Sequence, residues 1–123
     1  MESQQIDIQT EHIIHGGMYS RTIRLKAGEV ISGAHYLVPT LVVTDGDCLV
    51  SSGDFWVELL GYHVIPASSG RKQIFVARRD TAITMIFRTD AKTIEKAEEE
   101  FTDEACRLMS RRSENDIFTI TGE

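Results

Sequence analysis

Gly28-Glu29-Val30-Ile31-Ser32-Gly33-Ala34-His35 and Gly61-Tyr62-His63-Val64-Ile65-Pro66-Ala67-Ser68-Ser69-Gly70-Arg71 are the stretches that decide the fold. Both are β-forming runs punctuated by glycine, and the second closes on a Ser-Ser-Gly turn. Working outward, residues 1–89 read as many short strands with turn signals between them. Met18 to Leu25 alternates, with Tyr19, Arg21, Ile23 and Leu25 on one face. Lys26-Ala27-Gly28 is a turn. Tyr36 to Val43 is an apolar run interrupted by Pro39, which marks an edge or a bulge. Thr44-Asp45-Gly46-Asp47 reads as a tight hairpin turn into Cys48–Val50. Ser51-Ser52-Gly53-Asp54 turns again into Phe55–Leu60, which Gly61 is expected to end. Lys72–Ala77 and Thr81–Phe87 follow, joined at Arg79-Asp80. Short, evenly spaced strands of this kind indicate a sandwich or barrel rather than a parallel α/β sheet.

The pattern changes at Thr89-Asp90. Ile94, Ala97, Phe101, Ala105, Leu108 and Met109 recur at steps of three and four, which predicts a helix over 90–112. Thr89 or Asp90 is expected to cap its start, and Thr102 reads as a second cap near a break at Phe101. Residues 113–116 form a polar hinge, and Ile117–Ile120 is a terminal strand. That strand could return to its own barrel or pair with a neighbour's edge.

A chain of 123 residues is one domain, with 1–89 as barrel, 90–112 as acidic helical segment and 113–123 as hinge and strand. Apolar content of 41% and charge of 26% suit a globular protein, with no run long enough for a membrane helix. Residues 1–89 hold nine acids and eight bases, whereas 90–104 hold seven acids and two lysines. The net charge of −6 therefore belongs mainly to the helical segment, where a solvated face explains it. Nucleic acid is disfavoured as a partner, because phosphate contacts need a cationic stripe. Cys48 and Cys106 read as free thiols, and the first residues lack a basic start followed by an apolar stretch. A cytoplasmic protein without membrane contact is expected.

The residues so far resemble the cupin superfamily, most closely small single-barrel proteins of bacteriophages and prophages. The matching residues are His12-Ile13-Ile14-His15-Gly16-Gly17-Met18-Tyr19-Ser20-Arg21, then Ala27-Gly28, Gly33-Ala34-His35 and the Pro66…Gly70-Arg71 turn. Together they cover about two thirds of the chain. The resemblance implies a mainly β fold: a single jelly-roll barrel, or double-stranded β-helix, carrying the C-terminal helix and short terminal strand. It also implies a ligand site in the barrel mouth, a homodimer with the terminal strand as a candidate for exchange, and, for a phage protein, residence in the host cytoplasm.

Metal-dependent cupins carry His-x-His, then a Glu, then Pro-x-Gly-x-x-His. In this sequence His35 stands at the first position, Leu37 at the second, Leu41 or Val42 at the Glu, and Gln73 at the last. One imidazole does not hold a divalent ion, which needs three or four donors, so no metal and no other cofactor is expected. Three histidines remain. His12 and His15, three apart, face opposite sides of a strand, and His12, His15 and His63 read as structural.

A polar pocket is the better reading. Tyr19, Arg21, His35 and Gln73 are its expected inward groups, supported by Arg71 and Tyr62, with Leu37 and Leu41 as its floor. Arg21 offers a bidentate fork and His35 a titratable donor, which suits a small polar or anionic ligand. Alternatively, Arg21 forms an internal bridge to Glu58 or Asp80. No residue is assigned a catalytic role: there is no nucleophile elbow, and the acids before Cys48 raise rather than lower a thiol pKa. Arg71, Lys72, Arg78 and Arg79 read as a solvated turn cluster. A non-enzymatic binding module is favoured over an interaction scaffold, and both over a cupin isomerase, epimerase or metal-dependent oxygenase.

Overall fold

The computed structural model describes residues 10–32, 37–52, 55–67, 73–101 and 117–120. Its elements are β1 (Thr10–His15), β2 (Met18–Leu25), β3 (Val30–Ser32), β4 (Thr40–Ser52), β5 (Phe55–Ala67), β6 (Ile74–Ala77), β7 (Thr81–Arg88), α1 (Ile94–Phe101) and β8 (Ile117–Ile120). The strands form one sheet in the order β3-β6-β4-β7-β2-β1-β8, with β5 on β4. All pairings are antiparallel except β1 with β8. The sheet curls into a half-barrel, the mainly β architecture expected. In this chain the terminal strand closes on its own β1, with Glu11 beside Ile117 and Ile14 beside Ile120.

Strand β4 does the curling. Strand β5 occupies one of its edges from Thr40↔Ala67 to Ser52↔Phe55. The other edge goes first to β7, over Leu41–Asp45, and then to β6, over Cys48–Val50. Gly46 and Asp47 lie between the two pairings. A Cβ at Gly46 would sit 2.5 Å from Thr81 Oγ1 and 2.6 Å from the Asp80 carbonyl, and φ there is 150°. Only glycine permits that approach. Around it, the Asp47 amide donates to Thr81 Oγ1 at 3.0 Å. The Asp47 carbonyl accepts from the amides of Arg78 and Arg79 at 2.8 and 3.2 Å. The Arg78 guanidinium reaches the Asp47 carboxylate at 2.6 Å and Glu58 at 3.3 Å.

The corner corrects two expectations. Asp45-Gly46-Asp47 is not a hairpin turn, and Gly61 does not end a strand: the two glycines face each other across one long β4–β5 ribbon. The Asp-Gly chemistry that makes a tight turn here makes a bend instead, because β5 continues to pair on the far edge. The Lys26-Ala27-Gly28 turn is present, closed by the Glu29 amide on the Lys26 carbonyl at 3.0 Å. The Arg79-Asp80 turn is present too, and its arginines are solvated as expected, Arg79 most of all, while both also meet the Asp47 carboxylate.

Alternation sets the core. Ile14, Tyr19, Ile23, Leu25, Val42, Cys48, Val50, Phe75, Ala77, Ile83, Met85 and Phe87 all fall on the concave face. The helix begins later than expected. Thr93 caps it, its Oγ1 accepting the Lys96 amide at 3.3 Å, while Thr89 Oγ1 accepts the Ala91 amide at 3.0 Å in the turn before. Ile94 and Ala97 are buried, as the stripe requires. The expected cap at Thr102, the stripe from Ala105 to Met109, the hinge and Cys106 lie outside the described residues, as do Tyr36, Gly53 and Asp54, and the Ser68–Gly70 turn.

Cys48 is a free thiol, fully buried. Burial pushes its pKa up, and the neighbouring Asp47 carboxylate pushes it further, against a smaller opposing pull from Arg78. Raised in the folded state alone, it contributes stability below the ordinary thiol pKa and loses it as pH climbs above that value. In a Cys106→Ser variant at pH 7.5, a thiol reagent should leave native protein unlabelled and react in denaturant; rapid native labelling would contradict this burial. Gly46→Ala should cost roughly 2 kcal/mol or more in urea unfolding, for overlap and backbone strain together. Gly61→Ala, where φ is 85° but nothing lies within 4 Å, should cost about 1 kcal/mol. Equal costs would count against the corner.

Candidate functional site

The concave face carries a polar row among apolar neighbours. His12 on β1 pairs with Arg21 on β2, Arg21 with Met85 on β7, and Met85 with Val42 on β4. The next row along holds Ile14, Tyr19 and Phe87. His12 Nδ1 and the Tyr19 hydroxyl are 2.7 Å apart, and both side chains are fully buried. Their rings stack with centroids 5.9 Å apart, and Phe87 meets the Tyr19 ring edge-on at 5.1 Å. The tyrosine is thus fixed by a ring on either side and by its hydroxyl.

Arg21 is 6% exposed. A guanidinium taken this far from water is costly unless polar groups surround it. Glu58 pairs with Arg78, Asp80 accepts the Ala27 amide at 3.0 Å, and Arg21 has a polar interaction of its own within the folded chain. In the row on the other side, Ile23 pairs with Thr10 and Ile83, and Ile83 with Thr44. The Thr44 hydroxyl is buried and makes no hydrogen bond among the described residues. Such a group is an open valence for a water or a ligand oxygen.

The structure brings Tyr19 and Arg21 together, and His12 is the hydrogen-bonded structural histidine expected, buried against the Tyr19 hydroxyl. Thr10, His12 and Ile14 alternate inward, and the hairpin register sets His12 opposite Arg21. Gln73 is buried ahead of β6, which β4 and β7 separate from β2 in the sheet. Tyr62 is a correction. It is 68% exposed on the convex face, because β5 continues through Gly61 and strand alternation turns it outward with Leu60 and Val64. Leu37 and Leu41 are also exposed, off the concave core in which Val42 and Met85 are buried. His63 is partly exposed, its Nε2 2.9 Å from the Leu60 carbonyl, and His15 is exposed. His35 and Arg71 lie outside the described residues.

Known proteins locate this architecture. The chain is similar to a cupin superfamily protein from Desulfitobacterium hafniense, with a TM-score of 0.59 and 14% identity over 73% of this chain and 84% of that one. The fold is a cupin fold. KdgF from a Halomonas species matches equally well, with a TM-score of 0.59 and 16% identity over 73% of this chain and 87% of that one. A cupin 2 conserved barrel domain protein from Leptotrichia buccalis gives 0.58 at 12% identity, over 70% of this chain and 42% of that one. No family model and no curated protein matches the sequence.

A cupin metal cage does not fit the side chains present. Leu37 is exposed, Val42 is a wholly buried hydrocarbon, and Gln73 offers only an amide where an imidazole would stand. Neutral carbon and one amide do not replace the imidazoles and carboxylate of such a site. Among the described residues, no three His, Cys, Asp or Glu side chains gather closely enough to hold a metal ion.

Tyr19→Phe should unfold about 1–3 kcal/mol more readily in urea, since it strips His12 of a buried partner while keeping the ring. A loss below a few tenths would mean that the pair is solvated.

Proposed function

We propose that this cupin-fold protein is a non-enzymatic binding module that holds a small polar or anionic molecule on its concave face. The observation that carries the reading is Arg21, a nearly buried guanidinium set beside the fixed His12–Tyr19 pair. A guanidinium fork binds carboxylate or phosphate oxygens in two parallel hydrogen bonds. In a half-barrel otherwise lined by Val42, Ile83, Met85 and Phe87, that bond forms in low dielectric and gains strength. The Tyr19 and Thr44 hydroxyls add neutral polar contacts. The aliphatic surroundings suit a ligand with a compact hydrocarbon body and one anionic end.

Binding needs no metal in this scheme. Arg21 orients the anion, the apolar wall excludes water, and the stacked rings keep Tyr19 from moving. His35, assigned to this pocket from the sequence, remains part of the proposal.

A thermal-shift screen of short carboxylates, small phosphates and neutral sugars tests the reading. Ligand at about a hundred times its Kd stabilises the native state by ~2.7 kcal/mol, which raises Tm by several degrees. At least one anionic compound should do so, and Arg21→Met, folded by circular dichroism, should lose the shift. A shift from neutral sugars alone, or one that survives Arg21→Met, would contradict the assignment.

A second reading, an interaction scaffold such as a phage accessory protein, draws on a different observation. The convex side of the β4–β5 ribbon exposes an unusual run of large apolar side chains.

A further inference from the structure

Thr44 of β4 is 1% exposed, and its hydroxyl makes no hydrogen bond among the described residues. Its neighbours across the sheet are Ile83 on β7 and His63 on β5, each directly opposite it and on the same face. The Leu60 carbonyl can only accept, so His63 Nε2 donates to it, and in the neutral ring Nδ1 is left as an acceptor. A buried hydroxyl with nothing to pair with costs stability, and a methyl group in its place would not. Thr44 is therefore a poor core residue and a good contact for a polar group that enters the hollow.

We propose, on the footing that the concave face binds an anion, that the ligand is a short hydroxy acid: Arg21 takes its carboxylate, and Thr44 pairs with a hydroxyl on its third or fourth carbon. Three observations select that class. The first is spacing. Arg21 pairs with Met85, Met85 with Val42, and Thr44 is the next concave position along β4. Two strand spacings and one two-residue step put the α-carbons of Arg21 and Thr44 about 12 Å apart. Side chains stand off a sheet rather than lie along it, so most of that span is left for two hydrogen bonds and about three or four carbons. Ile83 and Met85 of β7 lie beneath those carbons. The second is charge. Arg21 is the only Lys or Arg buried among the described residues, so it supplies at most one positive charge. That balances a carboxylate, whereas a phosphate monoester brings about 1.5 to 2 negative charges out of water. Arg21 keeps its own interaction within the chain, and its five donors serve both. The third is hydrogen-bond sense. A ligand hydroxyl both donates and accepts, which suits Thr44 Oγ1 with the His63 acceptor beside it; a keto oxygen only accepts.

Calorimetric titration of the full chain with butyrate, 3-hydroxybutyrate and 4-hydroxybutyrate tests the proposal. One of the hydroxy acids should bind roughly fivefold or more tighter than butyrate, as one added hydrogen bond allows. Thr44→Val should abolish that preference and leave butyrate binding as it was, Thr44→Ser should keep it, and Arg21→Met should lose all three acids. Without ligand, Thr44→Val should melt no lower than the unaltered protein, because a buried hydroxyl without a partner becomes a methyl group. Butyrate binding that needs Arg21, with no hydroxy acid preferred or with a preference that survives Thr44→Val, would overturn the hydroxy-acid assignment and leave the anion site standing. So would failure of all three acids while another anion raises Tm. Failure of every anion would remove the site and the assignment together. A Thr44→Val variant that melts several degrees lower would give the hydroxyl to a structural water and overturn the assignment as well.

Discussion

The concave face exists because β4 can turn a corner at Gly46. Nothing larger than hydrogen fits between that α-carbon and the Thr81 backbone and hydroxyl. The strand therefore gives up β7 and takes up β6 within two residues, and its sheet closes partway round a core. Hydrogen bonds hold the corner from several directions: Thr81 on the Asp47 amide, and the Arg78 and Arg79 amides on the Asp47 carbonyl. Arg78 adds charge across the same joint. Exposed ion pairs of this kind contribute little energy, so their value here lies in fixing direction.

Given that curvature, period-two alternation decides what fills the hollow. Most positions went to hydrocarbon, which supplies the burial energy a domain of this size needs. His12, Tyr19 and Arg21 break the rule together, on neighbouring rows of one hairpin. Polar groups buried among Val42, Met85 and Phe87 weaken a core that apolar residues of the same shape would stabilise. A ligand that uses the guanidinium gives such an arrangement a purpose. Among the described residues, no three His, Cys, Asp or Glu side chains gather there closely enough to hold a metal ion.

Much of this was legible in the residues. The alternation over Met18–Leu25 correctly put Tyr19 and Arg21 inward, and the strand spacing indicated a barrel. The glycines were harder. Asp-Gly is the strongest short hairpin signal, yet Asp45-Gly46-Asp47 lies inside a thirteen-residue strand. Whether a glycine ends a strand or bends it depends on what pairs beside it, and that partner is distant in sequence. The same ambiguity at Gly61 turned Tyr62 from a pocket residue into a surface one. His12 reads from the sequence as a structural histidine, and its bond to the Tyr19 hydroxyl makes it one. The helix is capped at Thr93 rather than at Thr89 or Asp90, because the burial of Ala91 and Ile94 settles where it begins.

The central claim is that the buried Arg21, beside His12 and Tyr19, receives the charged end of a small molecule without a metal. A high-resolution crystal structure of untagged protein purified from cells tests it most directly, because the hollow would retain what it binds tightly. The account predicts density for an oxygen-bearing group in bidentate contact with Arg21, and no anomalous signal from a transition metal. A coordinated metal ion in the hollow, or Arg21 turned out to bulk water with hydrocarbon packed in its place, would contradict it.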